Sequence, residues 1–402
     1  MVKIGINGAG GRIGKRLLEF LSQLGLEVVM INDWEPAYEG LSEQSKVERL
    51  FEKIAGYDYV TRNKPRVNLR LDGPVIWLGN VALTTKFERE PEAIGWSERG
   101  VEIVEECSGA FRSYEKAMRH MYGTVRKVIL SAPGDDKIKH ACMGVNHNTL
   151  SPDDAIISNA SCTSKDIAVP LNVLIEELSL KIKGVYFNTV HSATNTQRAP
   201  RSIDNILLHT TGASIALKRL LPNIGTVHGR AYRVPTADGS WCDVTVIAES
   251  EDYISELDVK RAFVRATANI EFTELYANLL KAKSGISERE VQEKLYVEFL
   301  SRLDELEEMY IKRLNVITDP QPGLEAILNS EARKFSANIV LPQVKVTSEF
   351  IEEMEGAGEP ATGYYLTIIN FVAGYDNEAG SAFDQALLTK YIVGLYERGE
   401  WS

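Results

Sequence analysis

Residues 4–14 read IGINGAGGRIG, an apolar strand pattern that runs into a turn of closely spaced glycines. Glycine lets a chain turn tightly and lets its backbone approach a pyrophosphate, and the helix that follows offers unpaired N–H groups to the phosphates. The spacing of Gly8, Gly10 and Gly14 is one residue longer than the usual dinucleotide-binding fingerprint. Taken alone, the run indicates either a dinucleotide-binding turn or an ordinary glycine-rich turn.

The next apolar run favours the first interpretation, because it ends at Ile31-Asn32-Asp33. An acidic residue at the end of the second strand can accept hydrogen bonds from both hydroxyls of the adenosine ribose. The same carboxylate would repel a 2′-phosphate, so the pattern predicts NAD rather than NADP as the cofactor. The alternative is that Asp33 only caps a helix or stabilises a turn.

Alternation of apolar runs and amphipathic helical patterns over the first 160 residues predicts a parallel sheet with helices on both faces. The predicted strands are Ile4–Ile6, Val28–Ile31, Val101–Glu105 and Val128–Leu130, and the predicted helices are Lys15–Leu24 and Tyr114–Met121. After residue 162 the strand patterns lengthen and the helices become less regular, which predicts a mixed or antiparallel sheet. These longer strands are predicted at Val185–Val190, Arg230–Val234, Asp243–Ala248, Asn338–Val346 and Tyr364–Ala373.

The predicted fold class is therefore α/β, with a Rossmann-type NAD-binding domain and an α+β domain. We place the first domain at residues 1–161 and the second at 162–381, with an enlarged helical region at about 270–330. Ser287 to Leu314 shows a capping box and one apolar stripe, which predicts a long helix. Such a helix either packs on its own domain or binds a partner.

Composition excludes several classes of protein. The net charge of -11 argues against a nucleic-acid partner, which requires a basic surface. The four cysteines form no CxxC pair and no histidines have metal-ligand spacing, so we expect reduced thiols and no metal site. The sequence contains no run of about 20 apolar residues, so we expect no membrane span. We also expect no signal peptide, because the start of the chain has neither a long apolar region nor a small-residue cleavage site. The expected location is the cytoplasm.

A cysteine and a histidine form a candidate catalytic pair. Cys162 lies in the polar run Ser158–Ser164, just before a helical pattern at Ile167–Leu178. The positive end of a helix dipole lowers the pKa of a thiol and increases its thiolate fraction. His191 ends the predicted strand Val185–Val190, and an imidazole beside the thiol could shuttle its proton. From these residues alone, both side chains could equally be structural.

Short runs in the same order along nearly the whole chain resemble glyceraldehyde-3-phosphate dehydrogenase. The run Ser-Asn-Ala-Ser-Cys-Thr at Ser158–Thr163 is highly specific for that family. The other runs are Ile6–Gly8, Arg12–Gly14, Ile31–Asp33, Glu106–Gly109, Ser131–Pro133, Met143–His147, Thr189–Thr194, Thr211–Ala213, Tyr232–Thr236 and Tyr375–Glu378.

The resemblance implies a phosphorylating, NAD-dependent aldehyde dehydrogenase with Cys162 as nucleophile and His191 as base. The thiolate would attack an aldehyde, the thiohemiacetal would be oxidised to a thioester, and inorganic phosphate would release an acyl phosphate. The resemblance also implies that the final helix, within residues 382–402, packs on the first domain. Homo-oligomers are expected.

The resemblance assigns further residues to binding sites. Thr194 and Arg233 match the site for the substrate phosphate, and arginine suits that role through its planar fork of donors. Asn377 would hold the nicotinamide carboxamide. The attacking phosphate would contact Ser161, Thr163, Thr211 and Gly212. The cofactor would contact Gly8, Gly10, Gly11, Arg12, Ile13, Gly14, Asp33, Ser108, Ser131 and Asn377.

The chain departs from the family at several places. The stretch Gln197–Thr211 is shorter than in the family, where a longer loop reaches across a subunit interface towards the cofactor. The resemblance therefore does not extend to the usual tetramer or to that part of the cofactor pocket. Lys165 replaces a usual asparagine and would either lower the pKa of Cys162 or point to solvent. Ala379 and Ser381 flank Gly380 where the family has aromatic residues, one of them near the nicotinamide, and these small residues would leave room for a larger substrate.

Three functions follow from this comparison. The leading hypothesis is oxidation of glyceraldehyde 3-phosphate, although an acyl phosphate can also be reduced. The second is the same chemistry on another aldehyde, such as erythrose 4-phosphate. The third is a non-catalytic NAD-binding scaffold that uses the predicted 287–314 helix. An aldehyde panel separates the first two hypotheses, and fast alkylation of Cys162 would argue against the third.

Overall fold

The structure is a computed structural model that describes residues 1–56, 67–192, 206–236, 238–267, 314–328, 332–353 and 362–401. The chain forms two compact units. The first unit comprises Met1–Cys142, Asn146–Ser161 and Asn377–Ser402. The second comprises Met143–Val145 and Cys162–Asp376. Strands and helices are numbered below in chain order over the described residues.

The first unit is a twisted sheet covered by helices. Its strands are β1 Lys3–Asn7, β2 Glu27–Asn32, β3 Leu69–Asp72, β4 Val75–Leu78, β5 Val81–Lys86, β6 Ile103–Glu106, β7 Lys127–Leu130, β8 Lys139–His140 and β9 Ile156–Ser158. Its α-helices are α1 Arg12–Gln23, α2 Glu43–Ala55, α3 Tyr114–Ala117 and α8 Ala379–Glu397.

Strand order places the nucleotide loop at a switch point of this sheet. The order is β3-β4-β5-β2-β1-β6-β7-β9-β8, and neighbours from β5 to β8 are parallel. The predicted parallel sheet is confirmed for these strands, while β3 and β4 add an antiparallel edge. The chain leaves β1 to one side through β2 and later returns on the other side through β6. Ligands of such sheets bind where the order reverses, at the carboxyl ends of the strands.

The last helix packs against the first helix of this unit. The rings of Phe20 on α1 and Phe383 on α8 meet edge to face, with centroids 5.0 Å apart. From the same helix, Gln385 and Thr389 donate hydrogen bonds to the buried carboxylate of Glu105 on β6, at 2.6 and 2.5 Å. Apolar and buried polar contacts together attach α8 to this unit.

The second unit is a mixed sheet with α-helices interspersed among its strands along the chain. Its strands are β10 Lys181–Ser192, β11 Leu207–Thr210, β12 Thr226–Val234, β13 Ser240–Ser250, β14 Leu314–Ile317, β15 Ala337–Val340, β16 Lys345–Glu353 and β17 Thr362–Tyr375. Its α-helices are α4 Cys162–Leu178, α5 Ala213–Leu220, α6 Glu256–Ala266 and α7 Glu325–Leu328.

The sheet order of the second unit is β11-β12-β10-β13-β17-β15-β14, with β16 paired to β17. The pairs β10–β12 and β14–β15 are parallel, whereas β13 and β17 run antiparallel to their neighbours. The predicted mixed sheet is therefore confirmed. Pairing of β10 with β12 sets His191 directly opposite Arg233.

Two predicted elements differ from the structure in their bounds. The strand predicted at Asn338–Val346 is wrong as a single element, because a 3₁₀ turn at Leu341–Gln343 separates β15 from β16. Pro342 lies in that turn, where its fixed φ and missing N–H end the ladder. The helix predicted at Tyr114–Met121 ends early, as α3 passes into a 3₁₀ turn at Met118–His120.

The enlarged helical region predicted at about 270–330 is only partly described. Its described part, residues 314–328, contains a strand as well as the short helix α7. Leu314, which ends the predicted long helix, instead lies fully buried in β14 and pairs with Ala337. The rest of the predicted 287–314 helix and residues 197–205 lie outside the described residues.

Candidate active site

The glycine loop has a geometry that larger residues cannot adopt. Gly8 has a φ of +80°, and a Cβ there would lie 2.7 Å from the backbone nitrogen of Ser108. A Cβ at Gly14 would lie 2.2 Å from the carbonyl oxygen of Gly8. Gly11 precedes α1, whose first turn carries no acidic residue. The N-terminus of α1, the positive end of its helix dipole, therefore lies at the end of β1, where it favours an anion.

Asp33 belongs to this loop rather than to a helix cap. It follows β2, is 5% exposed, and its Oδ1 accepts the backbone N–H of Gly10 at 3.1 Å. Its Oδ2 accepts hydrogen bonds from the Tyr38 hydroxyl at 2.9 Å and from the Lys53 ammonium at 2.6 Å. The expected acidic residue is therefore in place beside the glycines.

A pocket of about 610 Å³ lies against the loop, within the range of small-molecule sites. Its walls include Gly8, Gly11 and Asp33 from the two βα turns and Ser108 from the end of β6. The fused rings of adenine need an apolar or aromatic surface, and Trp34 and Phe111 also line the pocket. These residues fit a dinucleotide in chemistry as well as in position.

Buried Glu106 holds the wall of this pocket in place. Its Oε1 accepts the backbone N–H of Ser108 at 2.8 Å, and its Oε2 accepts the side-chain amide of Asn7 at 2.5 Å. His120 Nε2 lies 3.1 Å from the same Oε2, while Trp96 donates to His120 Nδ1 at 3.2 Å. The imidazole is therefore the neutral Nε2–H tautomer, which donates to the carboxylate.

The other predicted cofactor residues do not line this pocket. Arg12 and Ile13 begin α1, and the Arg12 side chain forms an ion pair with Glu378. Ser131 follows β7 and donates its N–H to the Glu106 carbonyl at 3.0 Å. Asn377 is half-buried at the start of the last segment of the first unit.

In the second unit, Cys162 and His191 are neighbours. Cys162 is the first residue of α4, so the helix starts five residues before the predicted Ile167. Its Sγ lies 3.7 Å from Nε2 of His191, which is 4% exposed. His191 Nδ1 lies 2.8 Å from the Ser192 carbonyl and donates to it. The Nε2 lone pair therefore faces the thiol and can take its proton.

The pKa of Cys162 differs from the sequence-based expectation. Burial raises the pKa of this thiol, although Lys165, the Thr163 N–H and Arg233 act to lower it. Lys165 is 1% exposed, so the alternative in which it points to solvent is wrong. Burial thus outweighs the effects that lower this pKa, and the nearest imidazole nitrogen, Nε2 of His191, lies 3.7 Å from the sulfur.

A buried tyrosine joins the helix and the strand that carry this pair. The hydroxyl of Tyr375 lies 2.7 Å from Thr163 Oγ1 and 3.2 Å from Thr189 Oγ1. The His191 ring meets the Tyr375 ring edge to face at 5.9 Å. Burial raises the pKa of Tyr375, which keeps it a phenol. Tyr375 thus fixes the start of α4 relative to β10.

Arg233 lies next to the pair on β12. Its Nη1 lies 3.5 Å from the Ser192 carbonyl, and its Nε is buried without a hydrogen-bond partner among the described residues. Burial lowers the pKa of this guanidinium, and Cys162 opposes that effect. An unused, buried donor of this kind suits an oxyanion such as phosphate.

The remaining predicted anion ligands are partly described. Thr211 Oγ1 accepts the N–H of Ala213 at 3.1 Å, and Gly212 caps α5. Thr211 therefore has a structural role at the start of α5. Ser161 immediately precedes the nucleophile, and Thr194 lies outside the described residues.

Sequence reasoning missed several residues around these sites. Tyr375 stood within a quoted run but received no role. Glu106 stood in another run, and only the structure shows its four donors. No motif marks Lys53, since an isolated lysine on an amphipathic helix is ordinary.

In the described part of the chain, no helix has the length and apolar character to cross a membrane.

A dinucleotide-binding unit and a unit with a buried thiol–imidazole pair define the chain as a nicotinamide-dependent oxidoreductase. Two family models match it: the NAD binding domain of glyceraldehyde 3-phosphate dehydrogenase over residues 2–114, and the C-terminal domain of the same enzyme over residues 161–286. The chain belongs to the glyceraldehyde-3-phosphate dehydrogenase family. It is an enzyme of the NAD-dependent, phosphorylating dehydrogenase class.

Curated relatives agree with this assignment. The chain is 33% identical to glyceraldehyde-3-phosphate dehydrogenase of Geobacillus stearothermophilus over 290 residues, covering 69% of this chain and 81% of the relative. It is 34% identical to the chromosomal enzyme of Cupriavidus necator over 274 residues, covering 64% and 77%. It is 35% identical to the cytosolic enzyme of Craterostigma plantagineum over 270 residues, covering 64% and 76%.

Proposed function

We propose that this protein oxidises glyceraldehyde 3-phosphate to an acyl phosphate through a thioester on Cys162. The observation that carries the proposal is the 3.7 Å distance between Cys162 Sγ and His191 Nε2, with the imidazole oriented by Ser192. The curated relatives named above act, by their names, on the same aldehyde. NAD supplies the hydride acceptor, and the pocket beside Gly8 and Asp33 fits its adenosine portion.

His191 acts as base in two steps. It first takes the proton of the Cys162 thiol, the thiolate attacks the aldehyde carbon, and the imidazolium returns the proton to the resulting oxyanion, which gives a thiohemiacetal and a neutral imidazole. It then takes the hydroxyl proton as hydride leaves that carbon, which yields the thioester. The N–H of Cys162 and the imidazole stabilise the oxyanion. Phosphate attacks the thioester carbonyl, the C–S bond breaks, and the acyl phosphate leaves.

Two anion sites complete the reaction. Arg233 and Thr194 bind the substrate phosphate; the buried, unused Nε of Arg233 supports this role. Ser161, Thr163, Thr211 and Gly212 bind the attacking phosphate. Thr163 keeps this capacity, because a hydroxyl that bonds to Tyr375 still has a lone pair or a proton to offer.

The first unit serves as the cofactor domain and the second as the catalytic domain, and we propose residues 1–161 and 162–381 as their main extents. Gly8, Gly10, Gly11 and Gly14 shape the phosphate-binding turn, and Asp33 accepts the ribose hydroxyls. Backbone N–H groups at Arg12 and Ile13 face the pyrophosphate, and Ser108 supports the pocket wall. Ser131 and Asn377 contact the nicotinamide end, a role that rests on the family resemblance.

We also propose a cytoplasmic homo-oligomer. Tyr186 and Val190 lie on one face of β10 and are exposed, as is Leu208 on β11, which is in register with Val190 across Tyr232 of β12. Apolar side chains gathered in this way favour association with another copy of the chain. Light scattering after size exclusion gives the mass of the assembly, and a monomer would contradict this part of the proposal.

The test is NADH formation by the purified protein with NAD and glyceraldehyde 3-phosphate, with and without inorganic phosphate. We expect turnover that requires phosphate and is abolished by Cys162→Ser. An aldehyde panel that includes erythrose 4-phosphate identifies the preferred substrate. No turnover with any aldehyde, in a protein that binds NAD, would overturn the proposal.

A further inference from the structure

Lys53 lies directly over the nucleotide loop. It belongs to α2 and lines the pocket, and its Nζ is 2.6 Å from Asp33 Oδ2 and 3.4 Å from Glu35 Oε2. A Cβ at Gly10 would lie 2.8 Å from this Nζ. The ammonium therefore stands at the place where the ribose hydroxyls of an adenosine would meet Asp33.

The pairing changes what Asp33 offers to a cofactor. Oδ2 accepts Lys53 and the Tyr38 hydroxyl, and Oδ1 accepts the Gly10 N–H. Burial and the Asp33 carboxylate raise the pKa of Tyr38, so this phenol remains a donor. One oxygen keeps capacity for a ribose hydroxyl, while the net charge of the Asp33–Lys53 pair is zero. The pocket therefore does not present an unpaired carboxylate that would repel a 2′-phosphate.

Glu35 has a closer cationic partner than Lys53. Glu35 is held by Arg49, whose Nε lies 2.8 Å from Glu35 Oε1. Arg89, which stacks on Trp34 at 4.9 Å, also lines the pocket. Described wall residues balance in charge: the acids are Asp33, Glu35, Glu88 and Glu90, and the bases are Lys53, Arg89, Lys116 and Arg119.

We propose that Lys53 is a cofactor-specificity residue, which neutralises Asp33 and provides a cation for a 2′-phosphate, so that this pocket accepts NADP in addition to NAD. An ammonium bound to the carboxylate that receives the ribose hydroxyls would lie beside a phosphate on the 2′ position of the same ribose. A charge-assisted hydrogen bond from that ammonium offsets the repulsion by Asp33. NAD loses little when Lys53 is removed, because its 2′-hydroxyl carries no charge.

The test measures dissociation constants of NAD, NADP, ADP and 2′,5′-ADP by calorimetry, which is independent of catalysis. We expect the wild-type protein to bind NADP within about tenfold of NAD. Lys53→Met should weaken NADP and 2′,5′-ADP by about tenfold or more, as for loss of a charge-assisted bond, with a change of about threefold or less for NAD and ADP. Lys53→Arg keeps the charge and should retain NADP binding.

Lys46→Met is the matched control, since Lys46 lies on the same helix and pairs with exposed Glu43 outside the pocket. It should leave both cofactors unchanged. The proposal is overturned if the wild-type protein binds NADP more than about a hundredfold more weakly than NAD. It is also overturned if Lys53→Met, shown to be folded by thermal unfolding, changes NAD and NADP equally.

Discussion

The imidazole Nε2 of His191 lies 3.7 Å from the thiol sulfur of Cys162, and the two side chains come from different kinds of element. Cys162 starts α4 and His191 stands near the end of β10. The other ring nitrogen, Nδ1, donates its hydrogen to the Ser192 carbonyl, so Nε2 is the nitrogen that can accept the proton of the thiol. This geometry supports the proposed roles of Cys162 as nucleophile and His191 as its base.

Replacing His191 by Asn should remove proton transfer while keeping a polar side chain of similar reach. We expect kcat to fall by about 10²- to 10⁴-fold, the usual contribution of a general base. Alkylation of Cys162 by iodoacetamide should also slow at neutral pH, because the buried thiol no longer has a proton acceptor. Unchanged alkylation and turnover would show that His191 is structural.

Replacing Lys165 by Met should raise the pKa of Cys162. Lys165 lowers that pKa, so its removal leaves the opposing effect of burial uncompensated. The pH profile of alkylation should therefore shift to higher pH, while the plateau rate at high pH changes little. Lys183→Met is the control, since Lys183 pairs with Glu249 at the surface. A profile that stays in place would contradict an electrostatic role for Lys165.

Tyr375→Phe should leave the hydroxyls of Thr163 and Thr189 without their shared partner. Loss of a buried hydrogen bond that leaves polar groups unsatisfied costs about 1–3 kcal/mol. We expect the free energy of unfolding to fall by that amount and kcat to fall as the start of α4 loosens. Denaturant unfolding and steady-state kinetics measure the two effects. Wild-type values in both would mean that the hydroxyl positions nothing.

Glu105 should make folding stability depend on pH. Burial raises the pKa of this carboxyl to about 7 from its ordinary 4.5, with Thr389 and Gln385 opposing the shift. Between these values the folded state binds more protons than the unfolded state, so this group's contribution to the free energy of unfolding falls as pH rises from about 4.5 to 7 and is constant above. The full change is on the order of 3 kcal/mol.

Glu105→Gln removes this contribution. The wild-type protein should lose stability relative to the variant as the pH rises. The wild-type free energy of unfolding minus that of the variant should therefore be smaller at pH 8 than at pH 5. Urea titrations at the two pH values provide the measurement. A difference that does not vary with pH would mean that Glu105 has its ordinary pKa in the folded protein.

The sequence predicts the parts of this molecule that local chemistry determines. The glycine spacing predicts the turn after β1, and the polar run predicts that Cys162 lies at a helix start. Hydrophobic periodicity predicts β1, β2, β6 and β7 of the first sheet and the longer strands β10, β12, β13 and β17 of the second. The break between β15 and β16 was missed because two apolar runs flank Pro342 and read as one strand.

Long-range polar contacts account for what the sequence does not predict. Glu106 draws its donors from Asn7, Ser108 and His120, which are brought together only when the sheet forms. The Lys53–Asp33 pair likewise depends on how α2 packs beside the loop. The pKa of Cys162 was expected to fall, but burial, which no local pattern shows, has the larger effect.

The central claim is that Cys162 carries a thioester formed with the help of His191. A rapid-quench single turnover with NAD and glyceraldehyde 3-phosphate, without inorganic phosphate, followed by mass spectrometry of the digested protein, tests it most directly. The account predicts a burst of about one NADH per active site and an acyl adduct on the peptide containing Cys162, which phosphate removes. NADH formation with Cys162 unmodified, or an adduct on another residue, would contradict it.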